Sequence, residues 1–181
     1  MVSVGVYCGK LTSRPQFRVR QGGELKTLSE IENDFWLYAL GPKTPAEMVA
    51  HANNFERSKT KSILDSLFVA DLMVPYPESN EEWRDFMLDY RLSPIAFGLG
   101  CPGADPTVYA IVGGTTGLVV TVGNLTHTIW TLSDGRALAE AAQMACDEFQ
   151  VSPTEVLAQL RRDIPLLMGN GMTFLDEVVA L

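Results

Sequence analysis

The chain writes one pattern twice. Phe35-Trp36-Leu37-Tyr38-Ala39-Leu40-Gly41 is answered by Ile129-Trp130-Thr131-Leu132-Ser133-Asp134-Gly135, with Trp and Gly at the same spacing. Pro45-Ala46-Glu47-Met48 faces Leu138-Ala139-Glu140-Ala141, Ser58-Lys59-Thr60 faces Ser152-Pro153-Thr154, and Leu72-Met73 faces Leu167-Met168. The offset stays near 94 residues, as from Trp36 to Trp130. A repeat of this period constrains the architecture more than any short motif, because each copy must be one supersecondary unit.

The upstream segments agree. Phe17-Arg18-Val19-Arg20 runs into Gly22-Gly23 and Leu25-Lys26-Thr27-Leu28. Tyr109-Ala110-Ile111-Val112 runs into Gly113-Gly114 and Leu118-Val119-Val120-Thr121-Val122. Both read as strand, Gly-Gly turn, strand, since glycine supplies the positive φ of a tight hairpin. Val2–Tyr7 and Pro94–Leu99 are candidate leading strands.

Helices follow from periodicity and caps. Ile31, Phe35, Tyr38 and Leu40 mark a first helix that Gly41-Pro42 stops. Thr44 caps the second, with Pro45 in its first turn and Glu47 at the capping-box position. Ser58 is the expected cap of the third, whose Ile63, Leu67 and Ala70 share a face. In the second copy Ser152-Pro153-Thr154-Glu155 opens a helix with Val156, Leu157, Leu160 and Ile164 as its apolar face, and Pro165 is expected to end it. Pro75-Tyr76-Pro77-Glu78-Ser79-Asn80 reads as a linker, followed by a short helix from Glu81 to Tyr90 with Trp83, Phe86 and Met87 at helical spacing. Gly98–Pro106 reads as a loop. The expected organisation is therefore a first module over 1–76, a linker and short helix over 77–90, and a second module over 91–181.

A hairpin plus three helices, with the third helix beside the sheet, is winged-helix architecture, so the expected fold is α+β with two tandem winged-helix-like modules. One resemblance is more particular. Arg14-Pro15-Gln16-Phe17-Arg18-Val19, then Leu28-Ser29-Glu30, then Ala39-Leu40-Gly41-Pro42-Lys43-Thr44-Pro45-Ala46-Glu47-Met48-Val49, then Ile63, Leu67 and Leu72-Met73-Val74 resemble the PqqD-type recognition element. The resemblance covers roughly 14–74 and, more weakly, 109–168. It implies a small winged-helix-like domain that takes a leader peptide as an added strand against its third helix. The second module departs from it, with Arg136-Ala137-Leu138 where the first has Lys43-Thr44-Pro45, and a tandem arrangement is not usual for that family.

No motif for catalysis emerges. The two histidines, His51 and His127, hold non-corresponding places, and neither has a His or Cys at metal-ligand spacing. Both read as structural or solvent-facing. Cys101, in Gly100-Cys101-Pro102-Gly103, is the most accessible thiol expected, but it has no assignable base. Cys8 and Cys146 read as small buried residues. Gly113-Gly114-Thr115-Thr116-Gly117 lacks the Lys-Ser/Thr ending of a phosphate loop and reads as a hairpin turn. Trp36, Trp83 and Trp130 read as core. No cofactor, metal or catalytic residue is expected.

Charge narrows the partners. The 181 residues carry a formal charge of -8, unevenly: residues 1–80 hold nine Lys/Arg and nine Asp/Glu, and 81–181 hold five Arg against thirteen acids. Three widely spaced cysteines, no basic-then-apolar start and no long apolar run point to the cytoplasm and away from a membrane. Two readings remain. The first is a non-catalytic module binding a peptide or protein. Strand alternation puts Arg18 and Arg20 on one face, a partner strand adds beside them if their strand is an edge, and Lys59 and Lys61 line the same groove. The site is then expected between the second hairpin strand and the third helix. The second is a winged-helix DNA-binding regulator using Arg57, Lys59 and Lys61, which the net acidity disfavours because phosphate contacts dominate DNA affinity. A repeated module also leaves room for a homodimer.

Overall fold

The computed structural model describes residues 1–10, 16–53, 55, 57–113 and 117–178, with 57–59 described in backbone only. It is a mixed α+β protein that divides into two units, Met1–Tyr76 and Pro77 onward. Among the described residues no helix is long and apolar enough to cross a membrane.

The first unit runs β1 (Val2–Ser3), β2 (Val6–Lys10), β3 (Phe17–Gln21), β4 (Glu24–Leu28), α1 (Glu30–Tyr38), α2 (Pro45–Ala52), α3 (Arg57–Val69) and β5 (Met73–Val74). β2, β3 and β4 form an antiparallel sheet in that order, and β1 pairs separately with β5. The turn between β3 and β4 works because Gly22 takes φ 55°, a conformation that costs glycine little. Serine and threonine begin two of the helices. Ser29 and Thr44 each accept the N–H three residues on, while Glu32 and Glu47 return the bond to the cap backbone. Pro45 sits in the first turn of α2, where its missing N–H is not needed.

Alternation along β3 buries Val19 completely and leaves Arg18 and Arg20 on the outer face. The core of the first unit holds Phe35, Trp36, Met48, Leu67 and Leu72, all but closed to solvent. Burying each such side chain contributes about 1.5–3 kcal/mol. The Trp36 indole N–H donates to the Val4 carbonyl at 2.9 Å, and the Ser3 hydroxyl to the Trp36 carbonyl at 2.6 Å. These bonds tie the opening segment to α1, so its polar backbone is satisfied in a buried place.

The second unit runs α4 (Asn80–Asp89), β6 (Tyr90–Pro94), β7 (Ala96–Gly100), β8 (Val108–Gly113), β9 (Val119–Gly123), α5 (Asn124–Leu132), α6 (Leu138–Phe149), α7 (Pro153–Gly169) and β10 (Thr173–Glu177). From β6 onward it repeats the succession of the first unit. β7, β8 and β9 form an antiparallel meander, and β6 pairs with β10. Both meanders carry one irregularity in the first strand, between Tyr7 and Gly9 and between Gly98 and Gly100. α4 is capped by a Ser79–Glu82 box and packs against α6, burying Trp83 and Phe86.

Several expectations change. The segments 2–7 and 94–99 are not single strands. Each breaks, at Val4-Gly5 and at Ile95, and its first part pairs with a strand after the third helix that periodicity did not announce. Ser58 does not cap α3, because the helix already includes Arg57. Pro165 does not end α7, which continues to Gly169. A helix-interior proline costs about 3 kcal/mol, but Ile164, Leu167 and Met168 are fully buried beside it, and their burial outweighs that cost. Gly98 and Gly100 belong to β7 rather than to a loop. A Cβ on Gly98 would stand 3.1 Å from His127 Nε2, and Gly100 takes φ 78° at the irregularity. Cys8 is exposed, not buried, because it is the extra residue of the β2 irregularity. Cys146 is buried.

The correspondence of Leu72-Met73 with Leu167-Met168 also shifts. Asp71 and Gly171 hold the same left-handed place, with φ 54° and 66°. Behind them the Leu72 N–H donates to the Leu67 carbonyl and the Met172 N–H to the Leu167 carbonyl. Leu72 therefore matches Met172, and α7, with 17 residues against 13, has one more turn at its start than α3. In the second hairpin the turn residues 114–116 lie outside the described residues, but the Gly113 N–H donates to the Leu118 carbonyl and closes the β8–β9 ladder as expected.

Candidate functional site

The expected edge is one strand away from where the arginines sit. β3, which carries Arg18 and Arg20, is the middle strand of its sheet, flanked by β2 and β4. It cannot accept a partner strand, because both its hydrogen-bonding sides are used. Among the described residues the edges are β2 and β4. β2 is blunted: Gly9 takes φ 98° and the register shifts beside it. An irregular edge is a poor template for pairing. β4 pairs with β3 through five residues without a shift, and Glu24, Leu25 and Thr27 are exposed on it.

The turn fixes which groups of β4 look outward. Gln21 pairs with Glu24 around a two-residue turn, so Gln21–Glu24, Val19–Lys26 and Phe17–Leu28 are the bonded pairs of the ladder. Leu25 and Thr27 then turn their N–H and C=O away from β3. They stand opposite Arg20 and Arg18 respectively. A strand added to β4 would extend the cross-strand rows Arg20–Leu25 and Arg18–Thr27, and an acidic side chain in it would meet guanidinium groups across the row.

β4 and its turn are also anchored to the residues that follow α3. Lys26 Nζ donates to the Ala70 carbonyl and to Gln21 Oε1, the latter at 2.5 Å. Gln21 Nε2 donates to the Asp71 carbonyl at 3.0 Å. Both carbonyls belong to the turn that follows α3, and a cation suits the negative end of that helix. Arg20 Nη1 donates to the Gly22 carbonyl at 3.1 Å, which orients it along the turn.

Lys61 lies elsewhere. It is exposed on α3, in a groove of about 670 Å³ between α2 and α3 lined by Met48, Val49, Leu64 and Phe68 among others. Arg18 and Arg20 are not part of that lining, so the four basic residues do not form one groove. The side chain of Lys59 lies outside the described residues.

The titratable groups elsewhere are held by their surroundings. His51 Nε2 lies 2.6 Å from Asp34 Oδ2, and its ring stacks on Tyr38 at 3.9 Å and meets Phe35 edge-on. His127 stacks on Tyr109 at 4.4 Å, and burial lowers its pKa. For Glu32, burial pushes upward, but donation from the Ser29 N–H and hydroxyl and from Ser66 outweighs it and lowers the pKa. Cys101 is exposed, with its thiol directed to the Pro106 carbonyl at 3.6 Å. Among the described residues no group of three or more His, Cys, Asp or Glu could hold a metal ion.

The chain matches no family model, no curated protein and no solved structure. What sequence reading missed here is Leu25 and Thr27, although the two-residue Gly22-Gly23 turn carries the signal: it sets which residues of the second strand bond inward. Val49 was missed because an exposed valine on an amphipathic helix has no sequence signature of its own.

Proposed function

We propose that this chain is a non-catalytic recognition protein that takes an extended, acidic peptide segment of a partner as an added strand on β4. The supporting observation is the contrast between the two edges of the first sheet. β2 is broken by an irregularity, whereas β4 is regular, exposed and anchored to the residues that follow α3. Main-chain bonds from Leu25 and Thr27 supply affinity, and Arg18 and Arg20 supply the preference for acid. The winged-helix-like reading of each unit, the duplication behind the shared succession of elements and the likeness to the PqqD-type element belong to this proposal. Each is in keeping with a hairpin beside a third helix.

The test is a display selection of random peptides against the full chain, repeated with Thr27→Pro. Proline at 27 removes an outward N–H and leaves the β3–β4 ladder bonds in place, since edge strands tolerate it. The proposal expects acidic, extended sequences that Thr27→Pro no longer retains and that Arg18→Glu plus Arg20→Glu weakens. Peptides held equally by all three proteins would refute it. Retention of DNA fragments in place of peptides, with a steep salt dependence, would favour the regulator instead.

A further inference from the structure

Corresponding faces of the two units are covered differently. The carbonyls of Leu67 and Leu167 receive the N–H five residues on, so Lys61, Leu64 and Phe68 of α3 correspond to Arg161, Ile164 and Met168 of α7. Thr44 and Ala137 both stand just ahead of their second helix, so Val49 of α2 corresponds to Ala142 of α6. In the second unit this face is closed. Ala142 is 6% exposed, and Ile164 and Met168 are fully buried. In the first unit Val49 is 60% exposed, and Leu64 and Phe68 line an open groove.

The second unit carries one helix, α4, ahead of the succession that the two units share. This helix packs on α6 with Trp83 and Phe86 inward, and its start is held by α7: Arg161 Nη1 donates to Asn80 Oδ1 at 2.8 Å and Nη2 to the Glu78 carbonyl. α4 leads directly into β6. Met1 leads into β1, and Met1 lines the groove of the first unit. The groove thus lies where the other unit carries a helix, and Lys61 stands where Arg161 receives that helix's first turn.

We infer that the α2–α3 groove is the seat of an amphipathic helix supplied by a partner protein. The seat asks for large aromatic side chains at i and i+3, as Trp83 and Phe86 are, and an acidic first turn over Lys61, as Asn80-Glu81-Glu82 is. Helix-in-groove docking of this kind is carried by a few such anchors. The inference is independent of strand addition at β4, which uses none of these residues.

The experiment titrates the full chain into a fluorescent peptide of this chain's residues 77–90, acetylated and amidated, and follows anisotropy. Saturable binding is expected. It should weaken at least roughly tenfold with Val49→Glu, as loss of one central anchor does, and vanish with Trp83→Ala plus Phe86→Ala in the peptide. Lys61→Glu, also on an exposed side chain, should weaken it independently, so a folding defect in one variant cannot decide the matter. No saturable binding overturns the inference. So does binding indifferent to Val49→Glu and Lys61→Glu, which displacement of α4 itself would give. A dimer of the unliganded chain that Val49→Glu splits would make the occupant a second copy and overturn the partner assignment.

Discussion

The Thr126 hydroxyl donates to Asp163 Oδ2 at 2.5 Å and so joins α5 to α7 inside the second unit. Gln159 Nε2 reaches the same oxygen at 2.6 Å, and Arg162 Nε reaches Oδ1 at 2.9 Å. Asp163 is 5% exposed, so these three donors take the place of the water its oxygens have lost. Asp163→Ala leaves Thr126 buried without its acceptor. The variant should lose about 2–3 kcal/mol in urea unfolding, the usual cost of a charged hydrogen bond and an orphaned hydroxyl. A loss within experimental error would show that the cluster is incidental.

Gly5 holds the break between β1 and β2. It takes φ +103°, and a Cβ there would lie 2.4 Å from Val19 Cγ1 and 3.0 Å from the Arg20 carbonyl oxygen. Val19 is fully buried and has nowhere to retreat. Gly5→Ala should therefore cost more than about 2 kcal/mol, from left-handed strain and overpacking together. Gly103→Ala, with open space around it, is the control and should be nearly silent in the same thermal melts.

His127 should make stability depend on pH. Burial lowers its pKa below the ordinary 6.5, and its ring lies against Tyr109 and near Trp130. The unfolded chain then takes up a proton that the folded chain refuses. Stability from this residue is present above the ordinary histidine value and is lost as pH falls from there towards the lowered one. His127→Gln should flatten the difference in denaturation midpoint between about pH 7.5 and pH 5 relative to the parent chain. An unchanged slope would contradict this reading.

The legible part of the fold was what short-range chemistry fixes. Thr44-Pro45 with Glu47, and Ser152-Pro153 with Glu155, begin helices where their caps say so. Gly22-Gly23 turns a hairpin, and Trp36, Trp83 and Trp130 lie in the core. What escaped was set by distant partners. β5 and β10 form because β1 and β6 pair with them; β5 has only two residues, and β10 is buried along four of its five, so neither shows an alternation to read. Pro165 stays helical because of what Ile164 and Leu167 pack against. Cys8 faces out because one extra residue shifts the register. For the site, alternation placed Arg18 and Arg20 on the outer face, but which strand is the edge depends on the third strand, β2, and that lies in the pairing rather than in the hairpin itself.

Amide hydrogen exchange on the full chain reports whether β4 receives a strand. In the free protein the outward amides of Leu25 and Thr27 should exchange fast, while those of Lys26 and Leu28, bonded to β3, are slow. With a selected acidic peptide at saturation, Leu25 and Thr27 should both become protected. Peptide binding that leaves these two amides as fast as before would contradict strand addition on β4.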